Sequence, residues 1–312
     1  MLFRLCVLLL IAASCQQAKQ IIVQPVPPVQ PPVPAPETSY EYVTYRTGKL
    51  PIIVSVPHGG YLKPATLPDR NCADCVYVQD AYTQELANTL DSLFVVRFGC
   101  RIHLVINRLH RVKLDSNRPI DEGADGNIVA QQAWRGYHNA LDSAKKAVIN
   151  TFGKGLLLDL HGHGHAIQRL ELGYLVGATD LRQPDSLLNK LASVSSIYNL
   201  TRPATGSKPL SGLLRQTYAF GTLLQQAGYP AVPSQAIPAP LTGEDYFNGG
   251  YITQRYGSAG GGTLDAIQIE SNMNGVRDTA ANRLRYAQTL VGVIDTYLQR
   301  HYISEPLGTL CR

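Results

Sequence analysis

Gly155-Leu156-Leu157-Leu158-Asp159-Leu160-His161-Gly162-His163-Gly164-His165 is the stretch on which the fold turns. Six residues of mostly apolar character, 155–160, read as a fully buried strand, because a strand covered on both faces needs no alternation. Three histidines separated only by glycine follow at its carboxyl end. An extended chain sends alternate side chains to one side, so these imidazoles point to a metal. A glycine-rich loop that merely exposes some of them is the simpler reading. Asp159 is placed to orient a ligand imidazole from behind.

Working outward, residues 51–56, 102–106, 172–176 and 264–269 read as further strands. Helical spacing marks residues 127–151, 185–192 and 213–226, and a helix beginning near Asp80 with Tyr82, Leu86, Leu90 and Leu93. A final helix carries Ala280, Leu284, Ala287, Val291, Ile294 and Leu298. Strands alternating with helices predict an α/β sandwich around a largely parallel sheet, with ligands beyond the carboxyl ends of the strands. His58, His161 and Glu270 all follow apolar runs in this way. Each is costly to bury without a partner.

Composition sets outer limits. The chain has 312 residues, 45% hydrophobic and 16% charged, with a formal charge of +5. That content excludes disorder over most of the chain, and no apolar run is long enough for a polytopic membrane protein. The mild charge gives no nucleic-acid footprint. Arg4, the apolar residues 5–13 and Ser14-Cys15 form an export signal over residues 1–15. Ile11-Ala12-Ala13-Ser14-Cys15 resembles a bacterial lipobox, which implies lipidation of Cys15 and membrane attachment by that anchor alone; otherwise the chain is secreted. Residues 16–39 read as a linker, since seven of the twenty prolines fall between 21 and 39. Such a segment is a semi-rigid polyproline II spacer. Residues 40–312 then form one domain. Cys72, Cys75, Cys100 and Cys311 are an even set in an exported chain, so two disulfides are expected, with three possible pairings. Cys72-x-x-Cys75 as half of a zinc site finds no second half.

Three more segments bear on chemistry. Pro57-His58-Gly59-Gly60 lets the backbone approach a ligand closely, or is a turn histidine with a satisfied ring. In Ile267-Gln268-Ile269-Glu270, Gln268 and Glu270 share the face opposite the isoleucines. Glu270 is a candidate general base or an ion-paired strand end. Residues 107–119 pack cations that suit a carboxylate pocket, a phosphate patch or a solvated loop.

These pieces together resemble the N-formylglutamate amidohydrolase family. The resemblance rests on Pro57-His58-Gly59-Gly60, Asp80, Arg111 through Asp115-Ser116-Asn117-Arg118-Pro119, and Trp134 to Tyr137-His138. It continues through Leu158-Asp159-Leu160-His161, Gly249-Gly250-Tyr251 to Arg255-Tyr256-Gly257, and Ala266 to Glu270. Through its relationship to zinc carboxypeptidases and to succinylglutamate and aspartoacyl deacylases, it implies a phosphorylase/hydrolase-like three-layer α/β/α sandwich with a mostly parallel mixed sheet. It implies one zinc ion on His58, Asp80 and His161, with Glu270 as general base and Arg111 facing the oxyanion. Asn117 and Arg118 would hold a substrate carboxylate, with Arg255 as a further candidate. Tyr61 stands where the carboxypeptidases carry a glutamate ligand, so Asp80 is expected to supply the carboxylate, with Glu85, Asp69 or Asp74 in reserve. His163 is an extra ligand or proton shuttle. The expected substrate is a small carboxylate-bearing N-acyl amino acid. An exported peptidase acting on short or cell-wall peptides is the alternative. A binding lipoprotein without catalysis is the rival of another class.

Overall fold

The structure is a computed structural model and describes residues 40–203 and 207–311. The export signal, the lipidation site Cys15 and the linker lie outside the described residues. Within them a seven-stranded sheet has the order β1-β3-β2-β4-β7-β5-β6. Its strands are β1 (Val43–Arg46), β2 (Ile52–Val56), β3 (His103–Asn107), β4 (Gly155–Gly162), β5 (Leu170–Gly173), β6 (Ala231–Val232) and β7 (Leu264–Ser271). The central strands β3, β2, β4 and β7 are mutually parallel, while β1 and β5 join antiparallel to β3 and β7.

The helices are α1 (Thr83–Phe98), α2 (Ile120–Ala124), α3 (Ile128–Phe152), α4 (Ala178–Leu181), α5 (Asp185–Leu188), α6 (Leu210–Arg215), α7 (Phe220–Gln226), α8 (Tyr251–Tyr256) and α9 (Ala280–His301). Strand alternation sorts the core between two faces. Ile53, Leu157 and Ala266 pack with Tyr137, Leu141 and Val148 of α3 and with Ile252 and Tyr256 of α8. Val54, Leu156, Leu158, Ile267 and Ile269 pack with Leu86, Leu90 and Phe94 of α1 and with Leu290, Ile294 and Leu298 of α9. The α/β/α sandwich with a mostly parallel mixed sheet is therefore the observed architecture.

Two helical expectations change. Residues 213–226 form two helices, broken between Arg215 and Phe220. Arg215 is drawn onto Leu181 O, Gln183 O and the Asp185 carboxylate, and these tertiary bonds outweigh local propensity. The segment 185–192 starts as α5 and tightens into a 3₁₀ turn over Asn189–Val194. In α9 the buried stripe begins at Tyr286, and Leu284 is 43% exposed. Disulfides join Cys72 to Cys75 and Cys100 to Cys311. No helix among the described residues is long and apolar enough to cross a membrane.

The framework behind the strand ends contains buried imidazoles. His138 on α3 lies 2.8 Å from the Tyr256 hydroxyl, and its Nε2 donates to Ser116 O at 3.0 Å. Burial, aided by Arg255, pushes its pKa down to about 3; burial also takes His103 and His301 down to about 4. All three are neutral when folded, whereas an unfolded histidine titrates near 6.5. Below that pH the unfolded chain binds more protons, so stability is complete above pH 6.5 and is lost as pH falls toward 4. Asp265 and Glu270, pushed up by burial to about 6 and about 8, and the raised His161 act in the opposite sense, so the imidazoles' contribution is read by comparing a variant with the wild type. Each net proton is worth about 1.4 kcal/mol per pH unit. Going from pH 6.5 to 5, the urea midpoint of His138→Gln should rise relative to that of the wild type; equal changes in both proteins would contradict this account.

Candidate metal centre

Three adjacent parallel strands end at one place. His58 follows β2 by two residues, and His161 and Glu270 are register partners on β4 and β7. Alternation places Asp159 and His161 of β4 on the same face as Gln268 and Glu270 of β7, opposite the leucines and isoleucines that fill the α1/α9 layer. Asp80 comes from another direction. It stands three residues before α1, where its backbone N–H donates to His58 O at 3.1 Å and its carbonyl accepts from the Thr83 hydroxyl. The glycines after His58 permit this approach. A Cβ on Gly60 would lie 2.0 Å from Leu109 O, and one on Gly59 would lie 2.3 Å from Thr83 Oγ1.

The donors converge. Asp80 Oδ2 is 3.3 Å from His58 Nδ1 and 3.0 Å from His161 Nδ1, and all three residues are buried. Behind each imidazole stands a buried carboxylate. His58 Nε2 donates to Asp115 Oδ1 at 2.7 Å, and His161 Nε2 donates to Asp159 Oδ2 at 2.9 Å. Asp115 is held in turn by Arg111 Nε at 3.0 Å, and Asp159 by the Ser55 hydroxyl at 2.8 Å. Carboxylate-backed imidazoles fix the tautomer so that the lone pair faces the ligand position. His58 Nδ1 is that lone pair, buried and without a hydrogen bond. An orphaned buried acceptor is costly, and a cation beside Asp80 and His161 Nδ1 would satisfy it. Two imidazoles and one carboxylate are a zinc-type donor set, so these residues fit the group.

The local electrostatics are those of a cation site. Burial alone would raise the Asp80 pKa, but His58 and His161 outweigh it and hold the carboxyl well below its usual range. Asp115 is likewise depressed against burial, by His58 and Arg111. His161 is raised well above 6.5, against burial, by Asp159, Asp80 and Glu270. Glu270 goes the other way. Burial, with help from Asp80, Glu171 and Asp159 and against His161, pushes it up to about 8. Its Oε1 lies 4.0 Å from His161 Nδ1 and accepts from Gln268 Nε2 at 3.0 Å.

A cavity of about 190 Å³ opens over this group and is lined by His58, Asp80, Arg111, Asn117, Arg118, His161, Phe247, Gly250 and Glu270, among others. Seven expected site residues thus meet here: the three donors, Glu270, Arg111, Asn117 and Arg118; Gln268 lines the cavity beside Glu270. Asn117 has a further task, since its Oδ1 accepts the Ile252 N–H at the start of α8 at 2.8 Å. Arg255 is not among the lining residues. Its guanidinium stacks on Trp134 and Tyr256 and reaches Asp142 at 3.6 Å. Of the reserve carboxylates, Asp69 is engaged with Lys113 and Glu85 with Tyr61, while Asp74 lines a neighbouring cavity and not this one. His163 is turned away from Asp80, toward Arg169 O at 2.8 Å.

Sequence reasoning missed the part played by Asp115, which stands within the cation-rich segment 107–119. It also missed Phe247, for which no local pattern exists. If the carboxylate backing matters, Asp115→Asn and Asp159→Asn should each weaken zinc binding about 10- to 100-fold. Competition with a chromophoric chelator measures this; unchanged affinity in both variants would remove the role.

No family model matches the sequence, and no curated protein matches it. Among solved structures the chain is similar to an N-formylglutamate amidohydrolase from Ralstonia eutropha. The TM-score is 0.51 at 16% identity, covering 82% of this chain and 96% of that one. It is also aligned with an apo N-acetylmuramyl-L-alanine amidase from Mycobacterium abscessus at a TM-score of 0.36 and 14% identity, covering 79% of this chain and 98% of that one. The second likeness is too loose to carry an argument. The first establishes a shared α/β fold between this chain and a solved amidohydrolase.

Proposed function

We propose that the protein is a zinc-dependent hydrolase that cleaves the amide bond of an N-acyl, N-formyl-like amino acid. The observation that carries this reading is Glu270: a buried carboxyl standing beside two imidazoles and a carboxylate that converge on one point. When bound at His58, Asp80 and His161, zinc supplies Lewis acidity toward a carbonyl and makes water acidic near neutral pH. Glu270 takes the proton of the attacking water and returns it to the departing amine. Arg111, fixed on Asp115, presents positive charge on the cavity wall to the oxygen that becomes anionic. Arg118, half exposed at the same wall, receives a substrate carboxylate.

A second reading, hydrolysis of short or cell-wall peptides, draws support from a neighbouring cavity of about 520 Å³. It shares Val76 and Arg118 with the first and leaves room for a longer substrate. Two disulfides support export, and Cys15 is the proposed point of lipid attachment.

The test is metal analysis of the purified chain coupled to a hydrolysis screen of N-formyl and N-acyl amino acids and short peptides. Amine release that a chelator abolishes and zinc restores is the expected result. A zinc-loaded protein that hydrolyses none of them would overturn the enzymatic reading. Binding of amino acids or peptides without zinc would favour the lipoprotein that binds and does not cleave.

A further inference from the structure

The three-histidine run carries ligand-type side chains that the first centre does not use. We propose that His163, His165 and Glu171 form a second divalent-cation site of zinc type, sharing no ligand with His58, Asp80 and His161. One ligand atom from each of the three lies within 4.8 Å of the others, and His165 Nδ1 is 2.9 Å from Glu171 Oε1.

Two of the three donors are oriented from behind. His163 Nε2 donates to Arg169 O at 2.8 Å, which leaves the lone pair on Nδ1. That lone pair accepts the His165 backbone N–H at 3.1 Å, a contact that the ion replaces. Glu171 Oε2 is taken by the Phe247 N–H at 2.8 Å, so Oε1 is the oxygen turned to the imidazoles. The Phe247 ring stacks on His165 at 4.6 Å and closes one side.

Charge argues the same way. Glu171 is fully buried and is the register partner of Glu270 across β5 and β7. Its ion-pair partner among the described residues is His165 alone. A carboxylate buried in this way is costly without positive charge, and a cation on Glu171 supplies it. His165, with 20% of its side chain exposed, leaves a route of entry from solvent. Two imidazoles and one carboxylate select zinc-like ions over magnesium or calcium, which prefer all-oxygen sites. Through the Phe247 N–H the second ion would fix the segment that brings Phe247 to the wall of the first cavity.

The experiment strips the full chain with a chelator, reloads it with zinc, removes excess, and counts metal per chain by mass spectrometry. Two ions are expected in the wild type, one in His165→Gln, and one in the double variant Asp80→Asn/His161→Asn. The double variant should also show a zinc-dependent rise in unfolding temperature, since it keeps only the second site. One ion in the wild type that survives His165→Gln and vanishes in the double variant overturns the proposal. One ion lost only in His165→Gln sustains it and instead removes the first centre. Should His165→Gln fail to fold, Glu171→Gln and the wild-type count decide the matter.

Discussion

Glu270→Gln should bind zinc like the wild type and lose hydrolysis by about 10²- to 10⁴-fold, the range for removing a positioned general base. The substitution keeps the shape of the side chain and the contact with Gln268, so the cavity wall survives. It removes the one group able to accept and return a proton beside the donors. Glu270 is not needed to hold the ion, because His58, Asp80 and His161 already meet without it. Burial and the neighbouring Asp80, Asp159 and Glu171 already disfavour the charged form of this carboxyl, so a neutral amide fits the same place and the variant should unfold no earlier. Metal content and turnover are measured on one sample. Wild-type turnover would remove the general-base assignment, and loss of zinc would recast Glu270 as a ligand.

Arg277→Met should destabilise the fold by about 3–5 kcal/mol, the scale for breaking a buried network at a charged member. Arg277 is 2% exposed and ties together three segments at the ends of β4 and β7 and before α1. Its Nε donates to Ser271 O at the end of β7, NH2 to His163 O beyond β4, and NH1 to Ala81 O beside Asp80. Gly162 leaves room for it, since a Cβ there would lie 2.2 Å from the guanidinium carbon. Methionine fills much of the volume and leaves three carbonyls without their donor. It also removes a cation that attracts Asp80 and Glu270. Urea denaturation checks the loss, and Arg277→Lys should recover only part of it, because an ammonium lacks the planar fork. An unchanged midpoint in the methionine variant would show that these carbonyls find other donors.

Much of the centre was legible before any coordinates. The apolar run of β4 ends where a polar residue would be costly, and His161 stands there; β7 and Glu270 repeat the pattern. Asp159 could be assigned behind His161 because two residues apart on a strand means one face. The short strands β1 and β6 escaped notice, since four and two residues leave too little periodicity to read. The break between α6 and α7 escaped because its cause is Arg215 reaching another part of the chain.

By itself the sequence determined the alternation of strands and helices and the residues that stand at the carboxyl ends of the strands. Hydrophobic period and strand alternation are local properties, carried over a few residues. Only the tertiary structure decided that Asp80 completes the donor set, that Asp115 backs His58, and that His163 joins His165 and Glu171 instead of the first centre. Those choices depend on distances of about 3 Å between groups that lie from 6 to 57 residues apart in the chain. Such distances follow from how the sheet orders its strands and from where Arg277 ties their ends, and no local pattern encodes them.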